Sequence, residues 1–422
     1  DKRVKGYRAF AIYYRKTIEY LKRLGVEFED RVFDKNMLSL KIVKSPSLRD
    51  YQKKALHAWI SNNFQGVIVL PTGSGKTRIA LAAMAFLKVP TLIVVPTLEL
   101  MDQWCKSIRK YFSTVVGRFG GGRREIKPVT VVTYDSAYLN IEQLGNKFKL
   151  IVFDEVHHLP SPSYRQIAEM CAAPYRMGLT ATPEREDGRH EDLNFLVGPI
   201  VYRAGIPEFS GKYLAEYELK VIKVKLGEEE KKQYKELMEK YKNYLKKTGI
   251  QVKSLKDFHE LIMRTGLDKE AREALLAWHK ARKIAFNAKR KMGVLKEILA
   301  ENKGAKILIF TENNEMLREI STQLLIPEIS YKTPAKERKM ILDEFRKGGI
   351  KVVATSKVLE EGLDVPDANV AIIVSGTGSR REFIQRLGRI LRPKEGKARL
   401  YEIVTAGTKE VRVSKKRRRG IE

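Results

Sequence analysis

Short apolar, β-branched runs recur along the chain between longer segments of mixed polarity. Val67–Leu70, Thr91–Val95, Val129–Val132 and Leu150–Phe153 are such runs. They lack the strict alternation of a half-exposed strand, so they predict strands buried on both faces, as in a parallel sheet. Their spacing with intervening helical segments predicts a doubly wound α/β lobe. A second set, Val221–Val224, Lys306–Phe310, Val352–Ala354 and Val370–Val374, predicts another lobe of the same class. Between the first two members of that set, Glu228 to Asn287 is rich in Lys, Glu, Leu and Ala. Strong helix formers over that length predict a helical insertion, broken near Thr248-Gly249 and Thr265-Gly266.

The boundaries follow. Residues 1–46 are basic and aromatic, with a helix-like stretch from Ala9 to Leu24 and a linker at Ser45-Pro46-Ser47. Residues 47–205 form the first lobe. Residues 206–227 and 288–408 form the second lobe, 228–287 the insertion, and 409–422 a basic tail expected to be mobile.

Charge changes the picture. The 422 residues carry 81 Lys and Arg against 51 Asp and Glu, a formal net charge of +30. That many like charges repel, and a polyanion relieves the repulsion, so the composition points to nucleic acid. Hydrophobic residues at 43% and charged residues at 31% are those of a folded chain. No run approaches the roughly 18 apolar residues of a membrane span. Asp1-Lys2-Arg3 opens no apolar stretch, which predicts no secretory signal, and no initiator Met is present. Two cysteines, Cys105 and Cys171, exclude a disulfide framework and suggest a reducing compartment.

Candidate chemistry sits at strand ends. Thr72-Gly73-Ser74-Gly75-Lys76-Thr77 lies between the first strand and an Ala-rich helix. Such a loop aims backbone N–H groups at an anion, and the helix N-terminus adds positive potential. Lys76 can neutralise β- and γ-phosphates and Thr77 can hold Mg²⁺. The strict phosphate-loop pattern has Gly six residues before the lysine; here Leu70 stands there. Asp154-Glu155-Val156-His157 follows the Leu150–Phe153 strand. Asp154 can hold Mg²⁺ and Glu155 can orient an attacking water. His157 and His158 are adjacent, which is not the i, i+4 spacing of a helical zinc pair. In the second lobe Arg389 and Arg392, spaced i, i+3, can share a helix face and suit the charge of a transferring phosphoryl group.

Taken in order, these segments resemble the motifs of superfamily 2 helicases, and more narrowly the XPB (xeroderma pigmentosum group B) helicases in their compact archaeal form. Arg49, Tyr51 and Gln52 resemble the adenine-reading segment, Gly73–Thr77 motif I, Pro96–Leu100 motif Ia and Thr133–Ser136 motif Ib. Asp154–His157 resemble motif II, Thr180–Thr182 motif III, Ile307–Thr311 motif IV, Thr355–Asp364 motif V and Gln385–Arg392 motif VI. Arg185-Glu186-Asp187 is similar to the Arg-Glu-Asp element of that family, and residues 228–287 are placed like its thumb. Residues 1–46 resemble the latter part of its damage-recognition domain.

The resemblance implies two RecA-like doubly wound parallel-sheet lobes with ATP and Mg²⁺ between them. It implies Lys76, Asp154, Glu155, Gln385, Arg389 and Arg392 as catalytic residues. Nucleotide contacts would come from Arg49, Gln52, Thr72 to Thr77, Gly362 and Asp364, and Mg²⁺ contacts from Thr77 and Asp154. Thr97, Thr133, Thr355, Arg185, Glu186 and Asp187 would meet nucleic acid. The implied activity is ATP-dependent 3′-to-5′ translocation that opens duplex DNA in nucleotide excision repair and in transcription. A nuclease partner and a cytoplasmic, nucleoid-associated or nuclear setting are implied with it. Two alternatives share the motifs: an RNA-directed ATPase of the same superfamily, and a DNA-clamping scaffold for a nuclease. The set Lys76, Asp154, Glu155, Arg389 and Arg392 favours a working motor over the scaffold.

Overall fold

The computed structural model describes residues 6–33, 40–185, 187–209, 216–252, 255–356, 368–379, 383 and 398–418. It divides into two compact units, 1–214 with 360–364, and 215–359 with 365–422.

The first unit begins with helix α1 (Tyr14–Arg23) and α2 (Asp50–Ser61). There follow β1 (Gln65–Val69), α3 (Lys76–Leu87), β2 (Thr91–Val95), α4 (Leu98–Arg109), β3 (Val116–Gly120) and β4 (Arg123–Arg124). Then come β5 (Val129–Thr133), α5 (Tyr134–Leu144), β6 (Leu150–Asp154), α6 (Arg165–Glu169), β7 (Tyr175–Thr180), α7 (Leu193–Leu196), β8 (Ile200–Arg203) and α8 (Ile206–Phe209). The strands form one sheet in the order β4-β3-β5-β2-β6-β7-β1-β8. Every described pairing in it is parallel except β3 with β4. The central strands β2, β5 and β6 are buried at every position, which is why they read as unbroken apolar runs. Because the pairings are parallel, the loops after Val69, Val95, Thr133, Asp154 and Thr180 all leave the same edge of the sheet. That edge is where open α/β sheets bind ligands.

Arg176 on β7 is 2% exposed, and among the described residues its guanidinium meets no carboxylate but donates to the carbonyls of Ala168, Cys171, Ala173 and Leu196. Ala168 lies in the last turn of α6 and Leu196 ends α7, so one cation satisfies carbonyls at two helix C-termini.

The second unit opens with β9 (Tyr217–Val224), α9 (Glu228–Thr248), α10 (Leu255–Arg264), α11 (Lys269–Phe286) and α12 (Arg290–Glu301). It continues with β10 (Ile307–Phe310), α13 (Asn314–Leu324), β11 (Glu328–Ile329), α14 (Ala335–Lys347), β12 (Val352–Thr355), β13 (Val370–Ile373), β14 (Ala398–Thr405) and a C-terminal helix, Glu410–Arg418. Its sheet runs β11-β12-β10-β13-β14-β9, all parallel. The inserted helices α9, α10 and α11 have their own core, built on Met238, Tyr241, Tyr244, Leu261, Ala274 and Leu275. Lys409 bridges that core to the end of the lobe, its ammonium lying over the rings of Tyr241 and Trp278.

The C-terminal segment departs from the mobile tail expected of its charge. Residues 410–418 are helical, and Glu410 and Arg417 are buried. Lys291 and Glu410 are both fully buried and pair at 2.7 Å, while Lys291 also donates to the Val374 carbonyl at 2.7 Å. Glu410 accepts in turn from the Thr405 N–H at 2.7 Å. Arg417 pairs with buried Glu402 and donates to the Thr377 carbonyl at 3.1 Å. A run of positive charge looks solvated in sequence because Glu402, the acidic partner of Arg417 and Arg418, belongs to a buried strand that only the fold brings near.

Candidate nucleotide and nucleic-acid site

The loop after β1 is shaped by two glycines. Gly73 and Gly75 take left-handed φ values of 83° and 78°, where a side chain would strain the backbone. A Cβ on Gly75 would also fall 2.6 Å from Gln52 Nε2. The loop closes with Ser74 Oγ donating to the Pro71 carbonyl at 2.7 Å, and α3 starts at Lys76. Lys76 is buried, its ammonium donating to the carbonyls of Leu70 at 3.1 Å and Pro71 at 3.4 Å. Thr77 follows in the first helical turn.

Gln52 is 1% exposed, and both ends of its amide are engaged. Its Oε1 accepts from the Arg49 N–H at 2.9 Å; its Nε2 donates to the Ser74 carbonyl at 2.8 Å and the Gly75 carbonyl at 3.4 Å. Tyr51 adds a 2.6 Å bond from its hydroxyl to the same Ser74 carbonyl, with its ring edge-on to Phe209. In this structure Gln52 and Tyr51 therefore hold the phosphate loop in place, and Arg49 stays exposed beside it.

Asp154 ends β6 and is 7% exposed. One carboxylate oxygen accepts from Trp104 Nε1 at 2.8 Å and the other from the Glu155 N–H at 3.1 Å. Burial pushes its pKa up, against the Trp104 hydrogen bond, the Lys76 charge and the Glu155 N–H, which all favour the anion. Glu155 takes φ 48°, ψ 54°, a left-handed conformation rare for a residue with a side chain. It begins a turn in which His157, fully buried, reaches Thr180 Oγ1 at 3.1 Å and lies 3.5 Å from the Glu155 carboxylate. Thr180 Oγ1 in turn donates to the Thr182 carbonyl at 3.1 Å. The Asp154–His157 and Thr180–Thr182 segments are thus joined through His157, which acts as a polar link between the two.

Arg185 donates to the His157 carbonyl at 2.7 Å and grips Asp187 with two bonds, of 2.9 and 2.7 Å. That grip pulls the Asp187 carboxyl down to about 2. Glu186 lies outside the described residues. Thr97 and Thr133 cap α4 and α5, accepting from Leu100 N and Ser136 N, each at 3.3 Å. Thr355 differs: it is fully buried, with its hydroxyl directed to the carbonyls of Ile329 at 3.1 Å and Ser356 at 2.9 Å. It anchors the end of β12 and does not reach the surface. Gly362, Asp364, Gln385, Arg389 and Arg392 fall outside the described residues.

The loop fits a nucleoside triphosphate with Mg²⁺. Thr72 Oγ1 is buried without a hydrogen-bond partner among the described residues. The Lys76 ammonium rests on two carbonyls, weaker partners than phosphate oxygens. No group of three or more His, Cys, Asp or Glu able to hold a metal exists among the described residues. A cation here would lean on Asp154, Thr77 and phosphate oxygens, the sparse protein ligation that Mg²⁺ favours.

Trp104 and the tying role of Gln52 are invisible to motif reading. Met101, Trp104, Cys105 and Ile108 form the buried face of α4, so Trp104 reads as core. The one available signal is that a buried indole N–H needs an acceptor.

Comparisons with known proteins agree with this geometry. Residues 45–185 match the family model of the type III restriction enzyme res subunit. Residues 277–421 match the ERCC3/RAD25/XPB C-terminal helicase model, and residues 1–32 the xeroderma pigmentosum group B helicase damage recognition domain. The DNA 3′-5′ translocase XPB2 of Sulfurisphaera tokodaii is 50% identical over 416 residues, 98% of this chain and 94% of that one. A putative DNA 3′-5′ helicase Rad25 of Haloarcula marismortui is 35% identical over 370 residues, 86% of this chain and 53% of its own length. The chain thus spans nearly all of the first relative but about half of the second. The Pyrococcus furiosus Hef helicase domain superposes with a TM-score of 0.56 at 23% identity, over 87% of this chain and 97% of that one, a likeness of fold. Two RecA-like lobes, XPB-specific segments at both ends and 50% identity along almost the full length of an archaeal member place the chain in the XPB family of superfamily 2 helicases.

Proposed function

We propose that this chain is an ATP-driven DNA translocase moving 3′ to 5′ and opening duplex DNA during nucleotide excision repair. The carrying observation is the placement of Lys76, after β1, and Asp154, at the end of β6, at one edge of the same parallel sheet. The α4 and α5 N-termini emerge at the same edge. Lys76 would neutralise charge on the β- and γ-phosphates, and Thr72 to Gly75 would offer backbone N–H groups. Mg²⁺, when bound, supplies further neutralisation of phosphate charge. Asp154 and Thr77 would hold it, and Glu155 would orient the attacking water and accept its proton. Arg49 would contact the base side of the nucleotide. Gln385, Arg389 and Arg392 enter as a reading of their sequence: guanidiniums for the charge that develops in transfer.

Thr97, Thr133 and the helix N-termini behind them would grip DNA phosphates without reading sequence. Arg185 to Asp187, tied to the Asp154–His157 turn, would lie beside that grip. The damage-recognition match over residues 1–32 supports the repair setting, and the family resemblance supports a nuclease partner. No described helix is long and apolar enough to cross a membrane.

Lys76→Ala tests the reading. Hydrolysis should vanish, while DNA affinity stays within a few-fold of native. Native turnover in that variant would refute the phosphate-loop assignment.

A further inference from the structure

Two helices start where the proposed function puts DNA phosphates, and each sends one buried aromatic side chain to the same residue. On α4, nearly two turns beyond its Thr97 cap, Trp104 is 1% exposed and donates its indole N–H to Asp154 Oδ2 at 2.8 Å. On α5, directly after its Thr133 cap, Tyr134 is 2% exposed and donates its hydroxyl to the Asp154 backbone carbonyl at 3.1 Å. One bond fixes the carboxylate, the other the peptide that carries it. Tyr134→Phe keeps the ring and removes only the donor, whereas Trp104→Phe removes the donor and also leaves part of the indole's buried volume unfilled. A hydrogen bond that engages one carboxylate oxygen decides which lone pairs remain for a cation, so such partners tune metal affinity.

We propose that Trp104 and Tyr134 are positioning residues through which nucleic acid at the α4 and α5 N-termini sets the orientation of the Asp154 carboxylate. DNA occupancy and Mg²⁺–nucleotide affinity are thereby coupled within the first lobe. This rests on the assignment of Asp154 to Mg²⁺ made above. Coupling between two binding sites is reciprocal: the factor by which DNA changes nucleotide affinity equals the factor by which nucleotide changes DNA affinity.

The test measures binding, not turnover. Affinity for MgADP is determined with and without duplex DNA, and DNA affinity with and without MgADP, for the native chain, Trp104→Phe, Tyr134→Phe and the double variant. The native factor should be in the range of about 5 to 150 both ways. Each single variant should reduce it, the double should bring it close to one, and Trp104→Phe should raise the Mg²⁺ needed for half-maximal nucleotide binding about tenfold. Variants that keep the native factor overturn the proposal. Asp154→Asn is the separate control: if it leaves the Mg²⁺ requirement unchanged, the underlying assignment of Asp154 fails instead.

A second measurement needs no variant at position 104. The chain has three tryptophans, so the Trp104 indole N–H resonance can be assigned by elimination using Trp59→Phe and Trp278→Phe. In the native chain it should shift when duplex DNA is added without nucleotide. A resonance that ignores DNA overturns the link.

Discussion

Lys291→Met isolates the buried pair behind β13 and β14. Lys291 and Glu410 are both fully buried. Among the described residues, removing the lysine leaves the Glu410 carboxylate with one neutral donor, the Thr405 N–H, and leaves the Val374 carbonyl without its Lys291 donor. Breaking one side of a buried ion pair costs about 3–5 kcal/mol, because the remaining charge stays uncompensated. For a unit of this size each kcal/mol moves the midpoint by about 2–4 °C, so the second-unit transition should fall by roughly 6–20 °C. Burial itself depresses the Lys291 pKa against the pull of Glu410, so the pair is held together by its partners and not by solvation. The double variant Lys291→Met/Glu410→Gln removes the stranded charge and keeps an acceptor for Thr405 N–H. It should recover most of the loss. Calorimetry and guanidinium unfolding of the full chain measure both variants. A single variant within about 1 kcal/mol of native, or a double variant as unstable as the single, would refute the reasoning.

Three further outcomes rest on the buried C-terminal pairs, the sequence reading of Arg392 and the net charge. Ending the chain before Lys415 removes Arg417 and Arg418, the partners of buried Glu402; the second unit should be destabilised by several kcal/mol, about the 3–5 expected for a broken buried pair, when followed by chemical denaturation. Arg392→Ala should lower kcat far more than it weakens ATP binding, as for a group that acts in the transition state; equal losses in steady-state kinetics and nucleotide titration would make it a binding residue. Raising salt should weaken duplex binding with a log–log slope near −0.9 per phosphate contacted, read by anisotropy; a flat response would separate the +30 charge from DNA.

The fold was legible because parallel strands buried on both faces leave unbroken apolar runs, and β2, β5 and β6 stand where Thr91–Val95, Val129–Val132 and Leu150–Phe153 predict. The phosphate loop was legible too, since Gly73, Gly75 and Lys76 are adjacent in the chain. Contacts that depend on distant partners were not. The short strand β11, two residues long, carries no pattern to detect. Trp104 meets Asp154 fifty residues away, and Arg417 meets Glu402 on a buried strand. Thr355 looked like a phosphate donor by motif, and only the fold shows its hydroxyl closed in under Ile329. The Gln52 amide could not be seen to hold Ser74 and Gly75 until the loop's φ values brought those carbonyls to it.

The pairing of β9 with β14 has a consequence for how the protein is made. Tyr217 pairs with Ala398 and Val224 with Thr405, in register over the whole of β9. During vectorial synthesis the first lobe has all its strands once Arg203 leaves the ribosome. β9 emerges soon after and then waits, its neighbour still unmade, while the rest of the second lobe is translated. Closing so long a span is slow, and an unpaired edge invites association with other nascent chains. Lys220 and Lys223, spaced along that waiting strand, supply the charge that keeps such an edge from pairing prematurely.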